Sequence, residues 1–200
     1  NISPYFLDLY NLIDSTFLFS EKAIIALTMT FVIIARQIDL SVASIIAVSS
    51  CVLGYTTSLG YDTWLVISLT LLSGAICGAF NGAIITKFAI PSIIVTIGTM
   101  SLFRGLAYSF LEDSYYNKFP KLVSNLGGGY LFGYIPYAFL TFIILAIIFA
   151  FILHKTSIGK KIYSIGNNPD AAQYTGISVD KYTFVLFTLN GLFSALAAIF

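Results

Sequence analysis

The sequence predicts an all-α, polytopic transmembrane bundle, on three observations. Hydrophobic residues make up 58% of the 200 residues and charged residues 10%, where soluble domains average about 45–50% and about 25%. Mean hydropathy is +0.92. The apolar residues also gather into runs that approach the roughly 20 residues needed to cross a bilayer. So few charges cannot cover the surface of a soluble domain of this size. Ten Lys and Arg against nine Asp and Glu leave a net charge of +1. That balance, with so much apolar mass, argues against disorder and against a nucleic-acid partner. Strands are not expected, because open sheet edges go unsatisfied in lipid. The chain begins at Asn1 without Met and ends at Phe200 inside an apolar run. It is therefore expected to be a fragment, forming one transmembrane domain over 1–200.

Taken in order, the segment 1–20 has Phe, Tyr and Asp without a clean span, and reads as an outward, interfacial approach. Pro4, Asp8 and Asp14 leave no signal-peptide pattern. About six helices follow. They are expected over 22–36, 41–59, 63–86, 91–111 and 135–154, and from near Tyr182 to the end. The first, with about 15 apolar residues, is short of a comfortable span. If the chain alternates sides, Arg36, Lys87, Lys155, Lys160, Lys161 and Lys181 share one side. Lys22, Lys118 and Lys121 share the other, with Glu21, Asp62, Glu112 and Asp113. The cation-rich side is expected to be cytoplasmic. The segment 112–133, with Gly127, Gly128 and Gly129, then faces outward, as a flexible loop or as a docking surface.

Several positions stand out. Gly74, Gly78 and Gly82 recur every four residues on one face of the 63–86 helix. Such a face lets a neighbouring helix approach closely, within the chain or across a subunit interface. Asn81 lies beside it and is expected to hydrogen-bond across helices. Between the first two helices, Asp39 and Ser41 suit an N-cap. The break at 36–41 is either a short cytoplasmic turn or a broken helix partly buried in protein, which would make Asp39, Ser41 and Asn81 candidates for lining a pathway. Arg104 lies about 20 Å along its helix from Pro91. It either lines a pathway or snorkels to Glu112 or Asp113. Thr96, Thr99 and Ser101 add hydroxyls placed to meet either a polar substrate on that pathway or the neighbouring backbone.

In the 155–181 segment, Asn168 is placed to cap a helix, Pro169 suits its first position, and Asp170 complements its dipole. Gly176 supplies the stop. A short helix over 169–175 is predicted, stiff enough to act as a lever. Cys51 and Cys77 read as small packing residues. His154 has no partner base or nucleophile nearby, and no phosphate loop or metal-ligand spacing is present. No catalytic residue, metal or cofactor is expected.

Four stretches in this order resemble the permease subunit of ATP-binding-cassette sugar importers of the ribose, rhamnose and autoinducer-2 type. The family pattern G-G-I-D-L-S-V-G-S is matched by Arg36 through Ser44, with the two glycines replaced by Arg36 and Gln37 and a third by Ala43. The N-G-x-x-[IV]-[TA] run corresponds to Asn81 through Thr86. The run ending in R-G corresponds to Ile90 through Gly105, and T-x-[FI]-G-[RK]-x-[IF]-Y to the stretch from Thr156. Asp170-Ala171-Ala172-x-x-x-Gly176 is similar to the E-A-A-x-x-x-G signature of importer permeases.

The resemblance implies a mechanism. Two permease subunits, identical or related, form a pathway for a monosaccharide or polyol-like solute across a bacterial cytoplasmic (inner) membrane. A binding protein delivers the solute outside, and two ATP-binding subunits act inside. Asn168, Pro169, Asp170, Ala171, Ala172 and Gly176 would couple to those subunits. Family members exceed this chain in length, with roughly ten helices. Without its glycines, the 36–37 backbone is expected to be less strained than in relatives, or its cation to serve a local purpose. The rival readings are a branched-chain amino-acid permease and an ion-coupled carrier.

Overall fold

A computed structural model describes residues 9–111 and 116–200. Its helices are α1 (Leu9–Ile34), α2 (Val42–Ser58), α3 (Thr63–Phe88), α4 (Ser92–Leu111), α5 (Lys121–Gly128), α6 (Tyr137–Lys155), α7 (Ser157–Asn167), α8 (Pro169–Tyr174) and α9 (Val179–Ile199). A small antiparallel ribbon, β1 (Tyr130–Leu131) and β2 (Ile135–Pro136), lies between α5 and α6. Among the described residues, five segments are long and apolar enough to cross a membrane: Ser15–Ile34, α3, α4, α6 and α9. The 17-residue α2 is a shorter apolar helix. The chain is a helical membrane bundle.

The first helix corrects the sequence reading. α1 runs for 26 residues, so it is not too short to span. The polar residues before Lys22 do not end the helix, because helical hydroxyls can bond backward: Ser20 donates to the Thr16 carbonyl one turn earlier. Part of the expected interfacial approach is thus helix, and residues 1–8 lie outside the described residues.

α1 ends at a residue in the left-handed region, Arg36, with φ 62°. The Arg36 N–H donates to the Ile33 carbonyl at 2.9 Å and the Gln37 N–H to the Val32 carbonyl at 3.0 Å. This is the paired pattern of a Schellman motif, where glycine is the usual occupant. At Arg36 the left-handed position is taken by a residue that carries a side chain.

Other boundaries follow local chemistry. Asp62 caps α3 by accepting from the Trp64 N–H at 3.0 Å. Asn168 caps α8 by accepting from the Ala171 N–H at 3.1 Å, and Gly176 takes φ +86° two residues after Tyr174. The predicted short helix is there. It is preceded by α7, a helix where a loop is expected from sequence; α7 buries Gly159, Ile162 and Ile165 and exposes Lys160 and Lys161. α9 begins three residues before Tyr182, at Val179.

The segment between α4 and α6 also differs from expectation. It holds α5, whose Val123 is buried with Leu53, Val66 and Ile199, and the β1–β2 ribbon. A two-residue ribbon is compatible with the rule against strands, since it connects helices rather than spanning lipid.

α3 and α9 form the centre of the bundle, with α1 and α2 beside them, α4 on α2 and α6 on α1. Gly74 and Gly78 face the backbone of α9: a Cβ on either would fall on the carbonyl of Gly191 or Phe187, and Gly82 faces Phe184. The small-residue stripe thus serves close packing within the chain. The core is layered along the axis. One layer holds Phe31, Val32, Ile85, Ile165, Ala172 and Phe187. The next holds Ile45, Val48, Cys77, Phe103 and Ala107. The Val123 layer closes the other end.

Candidate functional site

The break between α1 and α2 turns inward. Asp39 is 2% exposed and Ser41 fully buried, while Arg36, Ile38 and Leu40 point outward. The Asp39 carboxyl group gathers three donors. Its Oδ1 accepts from the Ser41 N–H at 2.9 Å and from the Ser41 hydroxyl at 2.7 Å. Its Oδ2 accepts from Asn190 Nδ2 at 2.8 Å. Asn190 in turn accepts from the Thr28 hydroxyl at 2.7 Å, and Asn81 Nδ2 donates to Ser41 Oγ at 2.8 Å. One buried chain of contacts therefore joins α1, the break, α3 and α9. Ser41 stands at the N-cap of α2, but its side chain makes no capping bond; the local carboxylate has claimed it.

The partners fix the depth of this knot. Asn190 lies about three turns, or ~16 Å, from the start of α9. Asn81 lies about two turns, or ~10 Å, from the end of α3. The chain after Ile34 therefore folds back into the bundle instead of resting on its end. Non-helical backbone is tolerated at such depth where protein covers it. α4 supplies part of that cover: the Ile38 N–H donates to Ser92 Oγ at 3.0 Å, and the Thr96 hydroxyl lies 3.3 Å from the Ile38 carbonyl.

The structure thus brings Asp39, Ser41 and Asn81 together, with Thr96 on the far side of the same break. Thr99 is not part of the knot; its hydroxyl donates within α4 to the Thr96 carbonyl at 3.4 Å. Arg104 is also elsewhere. It is exposed and lines a cleft of about 570 Å³ with Ser50, Cys51, Tyr108, Tyr116 and Phe119. Glu112 and Asp113 lie outside the described residues. Two members of the knot, Thr28 and Asn190, were not singled out from sequence. Asn190-Gly191 repeats the Asn81-Gly82 pair within an apolar run, and that was the available signal. Two buried atoms of this region, Ser44 Oγ and Asn81 Oδ1, have no hydrogen-bond partner among the described residues.

On α8 the signature residues divide. Ala172 is buried in the core with Ile162, Ile165 and Phe187. Asp170, Ala171 and Gly176 are exposed, Pro169 is half-buried, and Tyr174 is 92% exposed. α8 is thus anchored by one alanine and presents the other.

A helical bundle with a buried helix break, a glycine-packed helix pair and a short capped helix beyond the candidate spans defines a multi-pass helical membrane protein. The chain belongs to the family described as branched-chain amino acid transport system / permease component, which matches residues 11–200. It is 35% identical, over 99% of its length, to the autoinducer 2 import system permease protein LsrD of Klebsiella pneumoniae, covering 61% of that protein. It is also 35% identical, over 99% of its length, to the ribose import permease protein RbsC of Haemophilus influenzae, covering 62% of it. The autoinducer 2 import system permease protein LsrC of Escherichia coli is 34% identical over 88% of the chain and 51% of the relative. The chain thus spans about three fifths of the length of the first two relatives. No solved structure matches it.

Proposed function

We propose that the chain is part of the transmembrane subunit of an ATP-binding-cassette importer for a monosaccharide or related small polyol-like solute. The observation that carries this reading is the likeness, over nearly the whole chain, to import permeases for ribose and autoinducer 2. The family's description mentions branched-chain amino acids, but these relatives favour the sugar-type solute and an ATP-driven importer over an ion-coupled carrier. The proposed setting is a bacterial cytoplasmic (inner) membrane. The partners are two cytoplasmic ATP-binding subunits, a second permease subunit, identical or related, and an extracytoplasmic binding protein.

In this reading α8 is the coupling helix. Asn168 and Pro169 start it, Ala172 seats it on the bundle, and Gly176 turns the chain back into α9. Asp170, Ala171 and Tyr174 form the face offered to the ATP-binding subunit. Arg104, exposed in its cleft, is the pathway candidate. Asp39, Ser41, Asn81 and Thr96 hold the helix break in place.

The test uses the full-length subunit co-expressed with the ATP-binding and binding-protein genes beside it, with uptake of labelled ribose and of autoinducer 2 measured in cells. ATP-dependent uptake is expected. Ala171→Arg and Tyr174→Ala should each lower it by at least about tenfold, equivalent to ~1.4 kcal/mol, with unchanged amounts of folded protein in the membrane. Uptake that persists without the ATP-binding subunits would overturn the importer reading. Full uptake in both variants would overturn the coupling assignment.

A further inference from the structure

A second cleft, of about 330 Å³, opens between α6 and α9 at the α7 end of the bundle. Its walls are apolar and include Phe31, Phe149, Ile152, Ile162, Val185 and Leu189. It follows α9 from Lys181 to Leu189, about two turns or ~12 Å. Edge-to-face contacts of Phe149 with Phe31 at 5.3 Å and with Phe193 at 5.0 Å join the three helices around it. The Thr28 hydroxyl on its wall is engaged by Asn190 and the Ile25 carbonyl, and the rest of the lining is apolar apart from Lys181 and Tyr182.

The mouth is of opposite character. Lys181 lines it, and Lys161 Nζ sits 5.8 Å from the centre of the adjacent Tyr182 ring. Both lysines are exposed, and no carboxylate among the described residues pairs with either within salt-bridge distance. Asp180, next in sequence to Lys181, lines a separate shallow cleft with Gln173 and Ser178. α7 forms the floor, with Ile158 and Ile162 toward the cleft and Lys160 and Lys161 exposed.

We infer that the α6–α9 cleft is a phospholipid site, holding an acyl chain of an anionic lipid whose headgroup phosphate lies between Lys161 and Lys181. Charge decides the occupant. An apolar slot alone would accept any hydrocarbon, but two lysines with no carboxylate partner among the described residues select a negative headgroup, as basic pockets between membrane helices do. Each such lysine contributes enough attraction that two together favour an anionic over a zwitterionic lipid by about tenfold or more. Bound there, the lipid would tie α7, and through it α8, to α6 and α9.

The experiment uses the full-length permease subunit in detergent, titrated with phosphatidylglycerol or phosphatidylcholine and read by native mass spectrometry. Phosphatidylglycerol should be retained about tenfold more than phosphatidylcholine. Lys161→Ala with Lys181→Ala should remove that preference, while Lys118→Ala, at the other end of the bundle, should leave it intact. Val185→Trp, which fills the slot without touching charge, should lower retention of both lipids. Equal retention of the two lipids by the unaltered protein would overturn the inference. So would a preference that survives the double lysine substitution. Retention of both lipids unaffected by Val185→Trp would overturn the cleft assignment, and absence of bound lipid would overturn the inference. Thermal unfolding of each variant separates loss of binding from loss of fold.

Discussion

At the scale of single residues, Asp39 ties the break between α1 and α2 to α9. Three donors from two segments end on one carboxyl group, and none of them reaches water. Asp39→Ala would strand the Asn190 amide and both donors of Ser41. Each stranded buried donor costs about 1–3 kcal/mol, although hydrogen bonds within membranes often measure nearer ~0.6 kcal/mol. A loss of about 2 kcal/mol is expected, seen as a lower melting temperature in detergent. Asp39→Asn should cost less than half as much. Its oxygen can keep the Ser41 bonds, and Asn190 can turn its amide so that the oxygen meets the new donor. The Thr28 hydroxyl, which also donates to the Ile25 carbonyl at 3.0 Å, can then accept from the turned amide. Equal melting temperatures for Asp39→Ala and the unaltered protein would show that the knot is not what secures the break.

At the scale of elements, the α3–α9 pair depends on the absence of side chains. A Cβ at Gly78 would fall on the Phe187 carbonyl, and one at Gly191 on the Gly74 carbonyl. Backbone cannot yield as a flexible side chain can, so Gly78→Ala is expected to destabilise by about 1–3 kcal/mol through overpacking. Gly98→Ala on α4 is the matched control: nothing lies within 4 Å of its Cβ, and alanine is the better helix former by up to ~1 kcal/mol. Comparable melting temperatures for the two variants would refute the close-approach account. Much of this level was legible in sequence. The apolar runs gave α2, α3, α4 and α6 to within about two residues at each end, because a spanning helix must be apolar throughout. Cap chemistry gave α8. The start of α1 was hidden, since helical Ser and Thr can satisfy themselves on the preceding turn, as Thr30 does on the Ala26 carbonyl at 2.7 Å. The same habit concealed Thr28, whose hydroxyl looks like any other self-bonded threonine until α9 brings Asn190 to it. Lys160 and Lys161 mark the 155–181 segment as a charged loop in sequence, and only packing on the bundle makes Gly159, Ile162 and Ile165 the buried face of α7. The outward or inward placement of Ala172 depends on how α8 sits on α7, which local sequence does not contain.

At the scale of the whole molecule, the charges sort by end. Arg36 follows α1, Lys87 stands in the last turn of α3, Lys155 ends α6, Lys160 and Lys161 lie on α7, and Lys181 opens α9. These element ends meet around the Phe31, Ile85, Ile165 and Ala172 layer. Lys118 and Lys121 lie by α5 at the opposite end, where Val123 packs on Leu53 and Val66. A membrane protein retains its basic loops on the cytoplasmic side, so the α7–α8 end is the one expected to face ATP and the α5 end the one expected to face the solute. Orientation can be tested without any assumption about substrate. With Cys51 and Cys77 replaced by Ala, single cysteines at Lys118 and Lys160 are both exposed. A membrane-impermeant maleimide applied to intact cells whose outer envelope has been opened should label Lys118→Cys and spare Lys160→Cys. Lysis should then render Lys160→Cys reactive. The reverse pattern would turn the bundle over. It would also remove α8 from reach of any ATP-binding subunit while leaving the helix packing, the Asp39 knot and the lipid cleft unchanged, since those rest on contacts within the chain.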